Sequence, residues 1–265
     1  MTTPVHDTKY TVTVAESSTA TVKANLCLVR PTPTPFDGKT VVTADGILGE
    51  IRAAILDPAN SDVDSGSTGF TVEQIGTGLY IKRTDGAFNI TTPSPELMNV
   101  LTDSVMLASD LPSQCKHGYV VKVKNSDANE DDYFVKFIGN NNKDGEGVWE
   151  ECPQPGRKID FNDATMPIQM VREANGTFTV KQINWAQCLV GDYDQTTKLG
   201  SVPEPSFINK KINQMLFYRN RFVLLSDENI NMSQPGEFFN FWPKSAITYT
   251  VDDNIDISVS SVFPA

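Results

Sequence analysis

Between residues 211 and 233, three β-prone runs follow one another with only tight polar turns between them. The runs are 211–217, 222–226 and 230–233, and the turns are Tyr218-Arg-Asn-Arg221 and Asp227-Glu-Asn229. Connections this short can only join antiparallel neighbours, because a parallel pair needs a crossover of about a dozen residues. Three short strands joined in this way make up most of one β-propeller blade. No fixed-period repeat accompanies them, so the neighbours that such a blade needs lie outside the chain.

Upstream the pattern stays β from Gly118 onward. Residues 119–124, 133–137 and 148–151 alternate or are continuously β-prone, and polar turns at 125–132 and 139–147 divide them. This predicts an antiparallel meander. Residues 166–173 and 177–183 flank Ala174-Asn175-Gly176, and Asn-Gly is a strong hairpin signal. Residues 191–206 are polar and turn-rich and read as a boundary.

The N-terminal part mixes periods. Residues 10–14 alternate with period two, and 24–30 form a second strand candidate, stopped by the extended connector Pro31-Thr-Pro-Thr-Pro35. Ile47, Leu48, Ile51, Ala54 and Ile55 share one face at helical spacing. They predict a helix over 44–56, capped by Thr43 or Asp45 and ended by Asp57-Pro58. After a loop at 60–69, residues 70–75 and 79–83 read as a hairpin across Gly76-Thr-Gly78. Residues 88–90 add a strand, and 95–101 a short helix. The expected fold is mainly β: a small α+β unit at 1–112, an antiparallel β-meander domain at 113–200, and a partial β-propeller blade at 201–265.

Composition removes several function classes. Of 265 residues, 33 are acidic and 22 basic, for a net charge of −11. Duplex-DNA binders draw most of their affinity from basic side chains on phosphates, and that footprint is missing. No apolar run of 18 residues predicts a membrane-spanning helix, and the N-terminus lacks the pattern of a secretory signal. The cytoplasm is the expected compartment.

Few residues offer chemistry. Cys27, Cys115, Cys152 and Cys188 are widely separated, and only His6 and His117 could join them, so no usual zinc spacing can be drawn. Reduced, partly buried thiols are expected. Asp127-Ala-Asn129-Glu-Asp131-Asp132 has the alternating oxygens of a calcium loop but not its glycine or distal acid, and a solvated turn is the better reading. Asn175-Gly-Thr177 matches a glycosylation sequon, which the turn geometry already explains. Asp252, Asp253 and Asp256 are the candidates for paired carboxylates, and turn or capping roles suit them better. Neither histidine sits in a nucleophile context, and no phosphate-binding glycine loop is present. No catalytic residue, cofactor or metal site is assigned. Phe238, Phe239, Phe241 and Trp242 form the densest apolar cluster and are expected to pack in a core.

A family resemblance rests on the segments Ser206-Phe-Ile-Asn209, Phe217-Tyr-Arg-Asn-Arg-Phe222, Leu225-Ser-Asp-Glu-Asn-Ile230, Glu237-Phe-Phe-Asn-Phe-Trp-Pro243 and Asp252-Asp-Asn-Ile-Asp256, in that order. Gly118-Tyr-Val-Val-Lys-Val123, Tyr133-Phe-Val-Lys136 and Asn175-Gly-Thr-Phe178 extend it upstream. Together they resemble the tail nozzle (tail tubular) proteins of short-tailed phages, over most of residues 110–260. The resemblance implies a structural virion protein and no enzyme. It implies a β-propeller with inserted domains, assembled as a hexameric ring below a tail adaptor protein. Such a ring ends the DNA channel, lets DNA pass without specific binding, and helps anchor tail fibres. It places the protein in the virion tail after assembly in the host cytoplasm. The residues that carry the motif, as structural or interface positions, are Phe217, Arg219, Asn220, Arg221, Ser226, Glu228, Asn229, Ser233, Phe239, Phe241, Pro243, Asp252, Asp253 and Asp256. The chain is shorter than a whole nozzle protein, which implies a fragment or short product lacking most blades. The competing expectation is a carbohydrate-binding or polysaccharide-depolymerising tail component, with the aromatic cluster as its platform.

Overall fold

The computed structural model describes residues 11–16, 23–28, 43–56, 69–84, 86–93, 95–124, 132–194 and 196–258. They fall into two compact units. One comprises residues 1–103, 109–119 and 137–149, and the other residues 104–108, 120–136 and 150–265.

In the first unit, β1 (Thr11–Glu16) pairs antiparallel with β2 (Lys23–Leu28) on one side. On the other side it pairs with β5 (Phe88–Thr91). Helix α1 spans Ala44–Leu56 and buries Ile47, Leu48, Ile51 and Ile55 along one stripe. Thr43 begins it: its Oγ1 accepts from Gly46 N at 3.1 Å and its carbonyl from Ile47 N at 3.2 Å. Strands β3 (Phe70–Ile75) and β4 (Gly78–Arg83) form a hairpin. Its turn is two residues long, with Gly76 at φ +53° and Gln114 Oε1 accepting from Thr77 N at 3.0 Å. The positive φ favours glycine at position 76, and a Cβ there would also push aside the end of the Gln114 side chain. Val12, Val72 and Met98 close the core against α1.

No helix forms at 95–101, contrary to expectation. Residues 95–98 make turns only. Seven residues give too little propagation to offset a helix nucleus, and Leu97 and Met98 already reach the core from the turn. The helix end at Asp57-Pro58, the proline connector and most of the loop at 60–69 lie outside the described residues.

The meander consists of β8 (Val120–Val123), β9 (Tyr133–Gly139) and β10 (Gly145–Cys152). Two-residue strands flank it, β6 (Ser104–Val105) and β7 (Gln114–Cys115), in the order β6-β8-β9-β10-β7. Strand β6 runs parallel to β8, a pairing that an antiparallel meander alone did not anticipate. Two residues carry no periodicity.

In the second unit, β11 (Ile168–Arg172) and β12 (Phe178–Gln182) form an isolated two-stranded hairpin. Gly176 sits at φ +87°, and Asn175 Oδ1 accepts from Thr177 N at 3.0 Å, which accounts for the asparagine. The last four strands form one antiparallel sheet in chain order: β13 (Ile212–Tyr218), β14 (Arg221–Ser226), β15 (Asn229–Met232) and β16 (Ile255–Ser258). The fourth strand arrives after a 22-residue excursion. Much of the core below the sheet comes from chain without regular structure: Phe161, Trp185, Cys188, Val190, Val202, Phe207, Phe241 and Trp242. The polar stretch 191–206, read as a boundary, thus carries a core side chain at Val202.

Candidate functional site

Most of the motif residues lie in or against the excursion that returns β16 to the sheet. The β13–β14 turn is Arg219-Asn220, with φ of 45° and 60°, the left-handed pair that suits the twist of a two-residue hairpin. It fixes the register Tyr218↔Arg221 and turns the Arg221 side chain inward. Arg221 Nη1 donates to Ser233 O (2.6 Å) and Asp253 O (2.5 Å), and Nη2 to Val251 O (2.6 Å). One planar guanidinium therefore ties β14 to both ends of the excursion.

Other groups lock the same segment. Ser233 Oγ accepts from Phe222 N at 3.0 Å and donates to Gln234 O at 3.0 Å. Gln234 Nε2 donates to Trp242 O at 2.7 Å. The Asp253 carboxylate, fully buried, accepts from Lys244 N (2.7 Å), Thr250 N (2.6 Å) and Thr250 Oγ1 (2.9 Å). Burial opposes its charge, but those donors hold its carboxyl below the usual range. Asp256 accepts from Ser206 N at 2.7 Å and Ser206 Oγ at 2.5 Å. Asn231, with its amide turned to donate, reaches the same carboxylate at 2.9 Å.

The remaining motif positions divide by place. Phe241 and Trp242 are 1% and 3% exposed, and Phe239 sets its ring 5.5 Å from Trp185. Pro243 is half-buried beside them. The aromatic platform of the carbohydrate reading is therefore interior. Phe217 is exposed yet packs its ring 5.1 Å from Phe222 and 5.3 Å from Phe238. Glu228 is exposed in the β14–β15 turn and Asn229 begins β15, opposite Ser226. Ser226 Oγ is buried without a hydrogen-bond partner. Asp252 is exposed.

Three groups in this unit gave no advance signal. Arg157 donates to Val202 O at 2.7 Å and lies over the Trp242 ring. Glu151 accepts from Ser245 Oγ (2.6 Å) and Ala246 N (2.8 Å). Lys122 pairs with Asp132 (2.7 Å) and Asp192 (3.4 Å); burial works against its charge, and the two carboxylates push its pKa up. All three rest on contacts between residues far apart in sequence. A spacing rule cannot see them.

The candidate reactive residues are used structurally. His117 Nδ1 accepts from Gly139 N at 3.2 Å. Cys115, Cys152 and Cys188 are free thiols whose pKa burial raises, the opposite of nucleophile activation. Residues 127–131 of the calcium-like loop, the Cys27 side chain and His6 lie outside the described residues. Among those described, no three His, Cys, Asp or Glu side chains gather to hold a metal, and no helix is long and apolar enough to cross a membrane.

Comparison with known proteins agrees with the motif. The tail tubular protein gp12 of Escherichia phage T7 is 34% identical over 167 residues, which are 63% of this chain and 20% of that protein. The chain thus spans about a fifth of the length of that relative. The family description "Bacteriophage nozzle protein" matches residues 2–264. A match of that extent, together with the motif gathered around Arg221, means that the chain belongs to the bacteriophage nozzle protein family.

Proposed function

We propose that this chain is a structural element of a phage tail nozzle, contributing to the wall of the DNA-ejection channel and to adaptor and fibre attachment. The single observation that carries the reading is the family match along residues 2–264. The interior held by Arg221 and Asp253 supports a structural role over a catalytic one. In this reading β13–β16 form one propeller blade. The sequence stretches 1–112 and 113–200 correspond to inserted domains, and the fourteen motif residues maintain the blade and its interfaces. The whole protein forms a hexameric ring in the virion tail, assembled in the host cytoplasm. Its acidic surface lets DNA pass, since basic walls would retain phosphate.

The test is a peptide tag inserted in the exposed turn Asn140–Asn142, in the gene of the phage that carries it, followed by gold labelling of purified particles. Label at the distal end of the tail is expected. Label on the head, or none on intact particles, overturns the reading.

A further inference from the structure

The hairpin β11–β12 is amphipathic the wrong way round. In its register Met170 faces Val180, Arg172 faces Phe178 and Ile168 faces Gln182, which puts Ile168, Met170, Phe178 and Val180 on one face. The other face carries Gln169, Val171, Thr179 and Lys181. Along β11 it is the apolar face that is exposed, while Gln169 and Val171 are half-buried. The four apolar residues are between 58% and 69% exposed. That is on the order of 400 Å² of apolar-residue surface on one ribbon, the size of the largest bare patch on a typical monomer and of a kind that is often functional.

Charge indicates what covers it. Residues 168–182 hold two basic side chains, Arg172 and Lys181, and one acidic, Glu173, whereas the rest of the chain holds 20 basic and 32 acidic. A mildly basic ribbon with an apolar face fits an apolar row that ends in a carboxylate. The same chain offers one in its C-terminal excursion. Ile247, Tyr249 and Val251 alternate along residues 247–251, are 60% to 88% exposed, and lead into the exposed Asp252. Neither patch covers the other within one molecule, because both are bare.

We infer that the apolar face of β11–β12 in one copy docks on residues 247–252 of a second copy, with Arg172, which shares that face across from Phe178, beside Asp252. This rests on the multi-copy reading above. Two different patches meet, so the contact is head-to-tail and generates a ring or a filament, not a closed pair. The ribbon supplies about half the roughly 800 Å² per partner of a standard interface. Association of this chain alone is therefore weak and concentration-dependent.

The experiment is sedimentation velocity of the full chain over a concentration series, with wild type, Met170→Glu, Val251→Glu and an equimolar mixture of the two variants. Both substituted side chains are exposed, and superimposable thermal melts verify folding. Wild type is expected to grow with concentration, and each variant alone to need about tenfold more protein or stay monomeric. The mixture is expected to form dimers and stop there, since each variant retains one competent patch. A wild type that stays monomeric throughout overturns the inference. So do variants that assemble like wild type; that result leaves the multi-copy reading standing and assigns it to another surface. Failure of the reading itself shows separately, in the gold labelling of particles.

Discussion

Strand β14 and the hairpin β11–β12 are written alike and live differently. Both are short, β-prone and bounded by a tight turn with a left-handed residue. Yet β14 is buried on both faces, with Phe222, Val223 and Leu224 in the interior, while the hairpin exposes its apolar face. The difference lies in what the distant chain brings. Strand β14 has a neighbour on each side, an aromatic layer from 238–242 below, and Arg221 reaching to the returning segment. The hairpin has its own two strands and a turn. Strand periodicity therefore states which residues share a face, and says nothing of whether that face is covered.

The strongest way to break the comparison is to hollow the covered side. Phe241→Ala removes a ring in contact with Trp185, Phe207 and Phe222 and is expected to cost about 4 kcal/mol in chemical denaturation. A loss below about 1.5 kcal/mol would mean that the layer is loosely packed and β14 is not the anchored strand described. Next comes the clasp. Arg221→Met keeps bulk but leaves the carbonyls of Ser233, Val251 and Asp253 without their donor, for an expected loss of about 3 kcal/mol. Arg221→Lys should recover only part of it, because one ammonium cannot repeat the planar fork.

A smaller effect is read by pH. The Asp253 carboxyl is held below its ordinary value, so the folded state binds its proton less readily than the unfolded chain. Its contribution is complete above the unfolded pKa of about 4 and fades as pH falls through the folded value. Urea midpoints measured from neutral to acid pH should drop in that window. In Asp253→Asn that share of the drop should vanish. A variant with the same acid limb as wild type would assign the pH dependence to other carboxylates.

The legible parts of the molecule are those whose cause is local. Helix α1 could be read to its ends because Ile47, Leu48, Ile51 and Ile55 fall on one stripe and Thr43 caps it. The Arg219-Asn220 turn could be read because so short a loop calls for left-handed residues, and asparagine tolerates that conformation. Burial of the 238–242 aromatics followed from their size. What stayed hidden has causes that lie far away in sequence. Arg221 is a motif position in the sequence, yet nothing there names its acceptors, the carbonyls of Ser233 and Asp253, 12 and 32 residues away. Strand β6 pairs parallel with β8 across some fifteen residues and leaves no pattern. Residues 183–190 supply Ile183, Trp185, Cys188 and Val190 to the core with no regular structure to announce them.

The smallest predicted effect is the most discriminating for the hairpin. Phe178→Ser removes an aromatic ring, which in β14 would cost several kcal/mol. On the bare face of β12 the ring is 62% exposed and its cross-strand partner is Arg172, so little burial is lost. The expected change in folding stability is within about 0.5 kcal/mol. Measured on dilute monomer, a loss above about 1.5 kcal/mol would mean that the ring packs against its own chain, and the two strands would then differ in degree only. A small loss in dilute solution that grows with protein concentration gives the opposite result. Stability linked to concentration arises only where the covered state is an association, and that would make the bare face of the hairpin the counterpart of β14's buried one, completed by another molecule.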